Sequence, residues 1–131
     1  MKKTLQALIP AARQAIKDIG IPKNEGQVPK LFNGYISSFG ASIVQAGLLP
    51  TVIFFENENS GADDDRGKIC KAIYLMLERK NDPTFPVTNL GRKHFHQHLL
   101  EQERFKDPKL LKEVANYAVA LKIALRTFKL V

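Results

Sequence analysis

Apolar residues recur along nearly every segment of this chain at three- and four-residue steps, the spacing of one helix face. Val28, Leu31, Phe32, Tyr35, Ile36, Phe39, Ile43 and Val44 show it most fully. That series predicts a helix running to about Ala46, opened by Pro29, since a first-turn proline gives up no intrahelical bond. Gly47 has no Cβ to oppose a left-handed terminating residue, so a corner is expected there. Thr51 to Glu56 continues as a short helix that is apolar nearly all round and is expected to be buried. The "TVIFF" run carries strand-favouring residues, yet no second strand of similar quality is present to pair with it. A helix is the better reading.

The rest of the chain repeats the pattern. Leu5, Leu8, Ile9, Ala12, Ala15, Ile16 and Ile19 form a stripe ending at Gly20, with Pro10 either kinking the helix or restarting it. A polar loop, "NENSGADDDRG", follows the short helix, and Asp63, Asp64 and Asp65 are expected at the positive N-terminal end of the next one. That helix carries Ile69, Cys70, Ile73, Tyr74 and Leu77 and closes with Arg79 and Lys80. "NDPTFPVTN" is a second loop, whose two prolines remove backbone donors. A shorter helix is expected from about Leu90 to Glu103. The last starts with Asp107 as N-cap and Pro108 at the first helical position. Its apolar set is Leu110, Leu111, Val114, Tyr117, Ala118, Leu121, Leu125 and Phe128, and no glycine or proline stops it. The expectation is one all-α domain over residues 1–131, a bundle of five to six helices.

Charge changes the picture more than composition does. Twenty Lys and Arg against thirteen Asp and Glu leave the 131-residue chain at +7. Such an excess draws polyanions through counterion release, making nucleic acid the first partner to consider; a basic surface with no such partner is the competing reading. The single cysteine, Cys70, excludes an internal disulfide or a cysteine-rich metal site and suits a reducing, cytoplasmic setting. Its helical spacing from Ile73, Tyr74 and Leu77 points to a buried, inert thiol. The lysines at the start resemble a signal peptide, but Arg13, Gln14, Lys17 and Asp18 break the apolar stretch. No run reaches the roughly 18 apolar residues of a membrane helix.

The basic residues are not scattered. On an ideal wheel of the last helix, Lys112, Lys122, Arg126 and Lys129 lie together beside an apolar arc of roughly a third of the circle. Glu113 is the only acid on that helix. The face reads equally as a solvated one whose late cations complement the helix dipole or as a stripe that tracks phosphates. On the second helix, Lys30, Asn33, Gly34, Ser37, Ser38, Ala41, Ser42 and Gln45 lie away from the apolar centre, and most are small. Small residues allow another backbone to approach. For Gly34 and Ala41 the expected neighbour is a helix of this same domain, with Lys30 and Gln45 flanking a contact surface.

Candidate chemistry is confined to "GRKHFHQHLLEQE". His94 and His98 are spaced to share a helix face as two metal ligands could, while His96 is expected to point elsewhere. Such pairs are common by chance, and no metal or other cofactor is expected. Arg92 followed by His98 resembles the R-x(4–6)-H element of HEPN ribonucleases, which are also small and helical. This gives an alternative function, metal-independent RNA cleavage with Arg92 and His98 acting on the 2′-hydroxyl and phosphate. No Gly-rich phosphate loop, paired-carboxylate site or G-x-S-x-G element is present.

The segment "YISSFGASIVQAGLLPTVIFF", Tyr35 through Phe55, resembles the central motif of the small helical subunit of the type III-B CRISPR Cmr effector complex. The shared elements are Tyr35, Ile43 to Gln45, the Gly47-Leu48 corner, and Val52 to Phe55. "LIPAARQAI" and "NYAVALKIALRTF" resemble that family's first and last helices. The resemblance implies a non-catalytic subunit that stacks with copies of itself in a filament beside the crRNA-bearing subunits, near the target RNA. Its partners would be other Cmr subunits, crRNA and target RNA. The residues expected to meet RNA are Lys30, Gln45, Lys112, Lys122, Arg126 and Lys129, and no catalytic residue is assigned.

Overall fold

The computed structural model describes residues 2–23, 26–57 and 65–131, with side chains from Leu5 onward in the first helix. Six α-helices appear among the described residues: α1 (Lys2–Ile19), α2 (Leu31–Ala46), α3 (Leu48–Glu56), α4 (Gly67–Asn81), α5 (Phe95–Leu100) and α6 (Pro108–Leu125). Two-residue strands β1 (Gln27–Val28) and β2 (Lys129–Leu130) pair in parallel. The fold is all-α, as expected. No helix among the described residues is long and apolar enough to cross a membrane.

α1 packs against α6 and α4, α2 against α6 and α3, and α3 against α4 and α5. Their stripes meet in one core. Ala12, Ala15 and Ile16 of α1 are buried, as are Phe32, Ile36, Phe39 and Ile43 of α2. α4 contributes Ile69 to Met76 with Lys71 alone turned outward, and α6 contributes Val114, Tyr117, Leu121 and Leu125. Pro10 lies inside α1 without ending it. At Gly47 the backbone takes φ +94°, a conformation that L side chains rarely adopt, and its N–H closes α2 on the Ile43 carbonyl. The α2–α3 corner is tied again by a 2.7 Å hydrogen bond between Ser42 Oγ and the buried Thr51 hydroxyl.

Asp107 caps α6, its carboxylate accepting from the Lys109 N–H at 2.9 Å, with Pro108 opening the helix. Asp65 accepts from the Gly67 N–H at the start of α4, while Asp63 and Asp64 lie outside the described residues.

Five expectations need correction. Val44 is 86% exposed, at the rim of a groove between α2 and α6. Val28 belongs to β1 rather than to α2. α3 is not wholly buried: Ile53 and Phe54 face outward, and the Arg66 guanidinium lies 4.3 Å from the Phe54 ring centroid. The single helix expected from Leu90 to Glu103 is instead a 3-10 turn at Val87–Leu90, the short α5, and a 3-10 segment at Glu101–Lys106. Gln102 and Glu103 there have positive φ, which breaks helical continuity. α6 also stops at Leu125, so Phe128 and Lys129 leave the helix and the chain turns to pair with β1.

Candidate nucleic-acid interface

The β1–β2 pairing sets Gln27 beside Lys129 and Val28 beside Leu130. Next to it, the Lys30 N–H donates to the Val131 carbonyl at 2.9 Å. The start of α2 therefore abuts the segment that leaves α6. Lys30, Arg126 and Lys129, distant in sequence, gather at one end of the fold, and all three are exposed. Arg13 joins them from α1: its Nε donates to Thr127 Oγ1 at 3.0 Å, and its guanidinium lies 4.7 Å from the Phe128 ring centroid.

The other expected residues extend or leave this group. Lys122 lies one turn back along α6, half-buried, lining a groove against α2. Lys112 is exposed but about 21 Å from Arg126 along the helix. Gln45 is exposed at the far end of the 16-residue α2, about 22 Å from Lys30. The structure brings together three of the six, adjoins Lys122, and leaves Lys112 and Gln45 apart.

Several acids among the described residues are engaged elsewhere. Asp18 pairs with Arg79 at 2.8 Å, Glu113 with Lys80 at 2.9 Å, Glu101 with Lys93 and Arg104, and Glu103 with Lys106. Glu113, the one acid on α6, thus turns toward α4. Lys30, Lys112, Lys122, Arg126 and Lys129 have no acidic partner among the described residues.

The small-residue face of α2 is open. Gly34, Ser37, Ser38 and Ala41 are exposed, and a Cβ added at Gly34 or Gly40 would meet nothing within 4 Å. The expectation that Gly34 and Ala41 pack beneath another helix of this domain is not met. Beside this face, α2 and α6 frame an apolar groove of about 360 Å³ lined by Ile36, Gly40, Ile43, Val44, Ala118, Val119 and Lys122.

The histidines are arranged otherwise than their spacing suggests. His94 precedes α5 with extended backbone (φ −83°, ψ 152°), so helical periodicity does not relate it to His98. His94 and His96 stack instead, ring centroids 5.3 Å apart and 15° from parallel, and both face Glu56. His98 packs on Tyr74 and Phe95, and burial, with the nearby Arg104 charge, lowers its pKa. Arg92 is exposed in the turn before α5. Burial, with the Glu113 charge, pushes the Tyr117 hydroxyl up to about 12.

The family model for CRISPR-associated protein (Cas_Cmr5) matches residues 9–124. The chain belongs to the Cas_Cmr5 family. No curated protein and no solved structure matches it. As a Cas_Cmr5 protein it is a small subunit of the type III-B CRISPR Cmr complex and associates with the complex's other subunits. The match takes in α2, α3, α4 and α5 whole and reaches almost to the end of α6. Lys30, Gln45, Lys112 and Lys122 lie within it; Arg126 and Lys129 lie beyond it. Two polar contacts of the Cas_Cmr5 chain escaped the sequence: Arg13 beside Thr127, and the buried Glu56 beneath two histidines. Both depend on contacts between segments far apart in the chain. The only advance signal for Glu56 was a carboxylate closing an otherwise apolar helix.

Proposed function

We propose that this Cmr subunit is a non-catalytic scaffold that holds crRNA and target RNA by their phosphates. Lys30, Arg126 and Lys129 form its principal contact and Lys122 extends it, with Gln45 and Lys112 in secondary roles. The observation that carries the reading is the convergence of three exposed cations, without acidic partners among the described residues, from the start of α2 and the end of α6. A cluster of flexible point charges contacts backbone phosphates independently of sequence, as a guide-carrying particle requires. The open face of α2 and its groove supply the surface on which copies stack head to tail; a heterologous contact of that kind extends without closing.

The test is reversal of Lys122, Arg126 and Lys129 to Glu, which takes the net charge from +7 to +1. Three lost phosphate contacts should lower the salt slope of single-strand RNA affinity by about 2. A control reversing Lys93, Arg104 and Lys106 carries the same net charge but lies near α5, and should retain more affinity. Equal losses in both variants would show bulk charge rather than this cluster. Shortening of the RNA by the purified chain would overturn the non-catalytic part.

A further inference from the structure

The geometry points to a divalent-metal site, separate from the cationic cluster, at the junction of α3 and α5. Glu56, the last residue of α3, keeps only 4% of its side chain exposed. Its Oε2 accepts from the Phe95 N–H and its Oε1 from the His96 N–H, both at 2.8 Å, so the carboxylate orientation is fixed. His96 Nδ1 lies 2.8 Å from Oε1 and His94 Nδ1 lies 3.8 Å from Oε2. One ligand atom from each of the three residues falls within 4.8 Å of the others.

Capping accounts for the carboxylate and for one contact of His94, whose side chain accepts from the Gln97 N–H, but not for two imidazoles stacked beside one buried carboxylate. A metal accounts for that stacking. Zinc binds nitrogen and carboxylate oxygen at about 2.0–2.2 Å, so three ligands would be completed once the His94 ring moves inward and the 2.8 Å contact between His96 Nδ1 and Oε1 opens to admit the ion. His94 is 49% exposed, which leaves a fourth position open to water. Each Glu56 oxygen retains a lone pair beyond its backbone bond. The backbone donors would support the metal as outer-shell groups, holding the carboxylate in place. His96 moves its ring proton from Nδ1 to Nε2 and offers the freed lone pair, so no net proton is released. Two imidazoles with one carboxylate favour zinc over magnesium or calcium. Bound there, zinc would clamp the end of α3 to the start of α5.

The experiment is calorimetric titration of the EDTA-stripped, dialysed chain with zinc chloride, alongside thermal melts with zinc or magnesium. One equivalent of zinc should bind and raise the melting temperature, and magnesium should not. His94→Ala and His96→Ala should each weaken binding by at least about tenfold and remove the thermal shift, while His98→Ala should leave both intact. Half-exposed His94 can be replaced without opening the core, and far-UV circular dichroism checks each fold. Neither heat nor thermal shift at millimolar zinc, or binding unchanged in both the His94 and His96 variants, would overturn the site. RNA affinity is read separately, so this result stands or falls apart from the scaffold reading.

Discussion

Replacing Glu56 by Ala tests whether a single carboxylate holds the α3–α5 junction together. Glu56 satisfies the first two backbone donors of α5, which have no intrahelical acceptor, through bonds of 2.8 Å. A third bond of 2.8 Å reaches His96 Nδ1. Hydrogen bonds to a charged acceptor contribute about 1.5–3 kcal/mol each when buried. These donors are part-buried, so about 1–1.5 kcal/mol apiece is appropriate, or about 2–3 kcal/mol for the two backbone bonds. That is a large share of the roughly 5–15 kcal/mol holding an ordinary domain together. For a chain of this length it corresponds to a fall in melting temperature of about 10 °C. Glu56→Gln keeps one acceptor oxygen and should lose about half as much. Urea and thermal unfolding followed by far-UV circular dichroism, in EDTA so that no cation contributes, measure both variants. A Glu56→Ala protein within about 0.5 kcal/mol of the parent, with an unchanged denaturant slope, would refute the reasoning.

Two further outcomes follow from particular side chains. Gly34→Ala places a methyl in open space on an exposed helix face and should stabilise the chain by about 0.5–1 kcal/mol. The same variant should co-assemble less well with the Cmr complex, and a more stable protein that assembles normally would remove the small-residue face from the docking account. Cys70 is fully buried, and burial followed by the charges of Glu56 and Asp65 pushes its thiol well up. Because the thiolate is the reactive form, native Cys70 should react with an aromatic disulfide reagent at pH 8 on the order of a hundredfold slower than in the urea-unfolded chain. Comparable rates would place the thiol at the surface.

Local chemistry made much of this fold legible in advance. Asp107-Pro108 opens α6, Gly47 turns the chain between α2 and α3, and the three- and four-residue spacing marks the buried stripes of α1, α2, α4 and α6. What stayed hidden depends on contacts between distant segments. Val44 lies at the margin of its apolar arc, and only the width of the α6 contact decides that it faces outward. Gln102 and Glu103 end a helical run with no glycine or proline to announce it. The periodicity that pairs His94 with His98 applies only inside a helix, and His94 sits one residue before α5. Nothing local stops the last helix at Leu125, beyond which the chain pairs in parallel with β1. That pairing also completes the cationic group, moving Lys129 from a helix stripe to a place beside Lys30.

The scaffold account is tested most directly inside the assembled Cmr complex, with a photo-crosslinking side chain introduced at Arg126 and, as a control, at Lys106. The account predicts that Arg126 captures crRNA or target RNA while Lys106, paired with Glu103 in the 3-10 segment after α5, captures none. RNA captured equally from both positions, or none from Arg126 in a complex that contains crRNA, would contradict it.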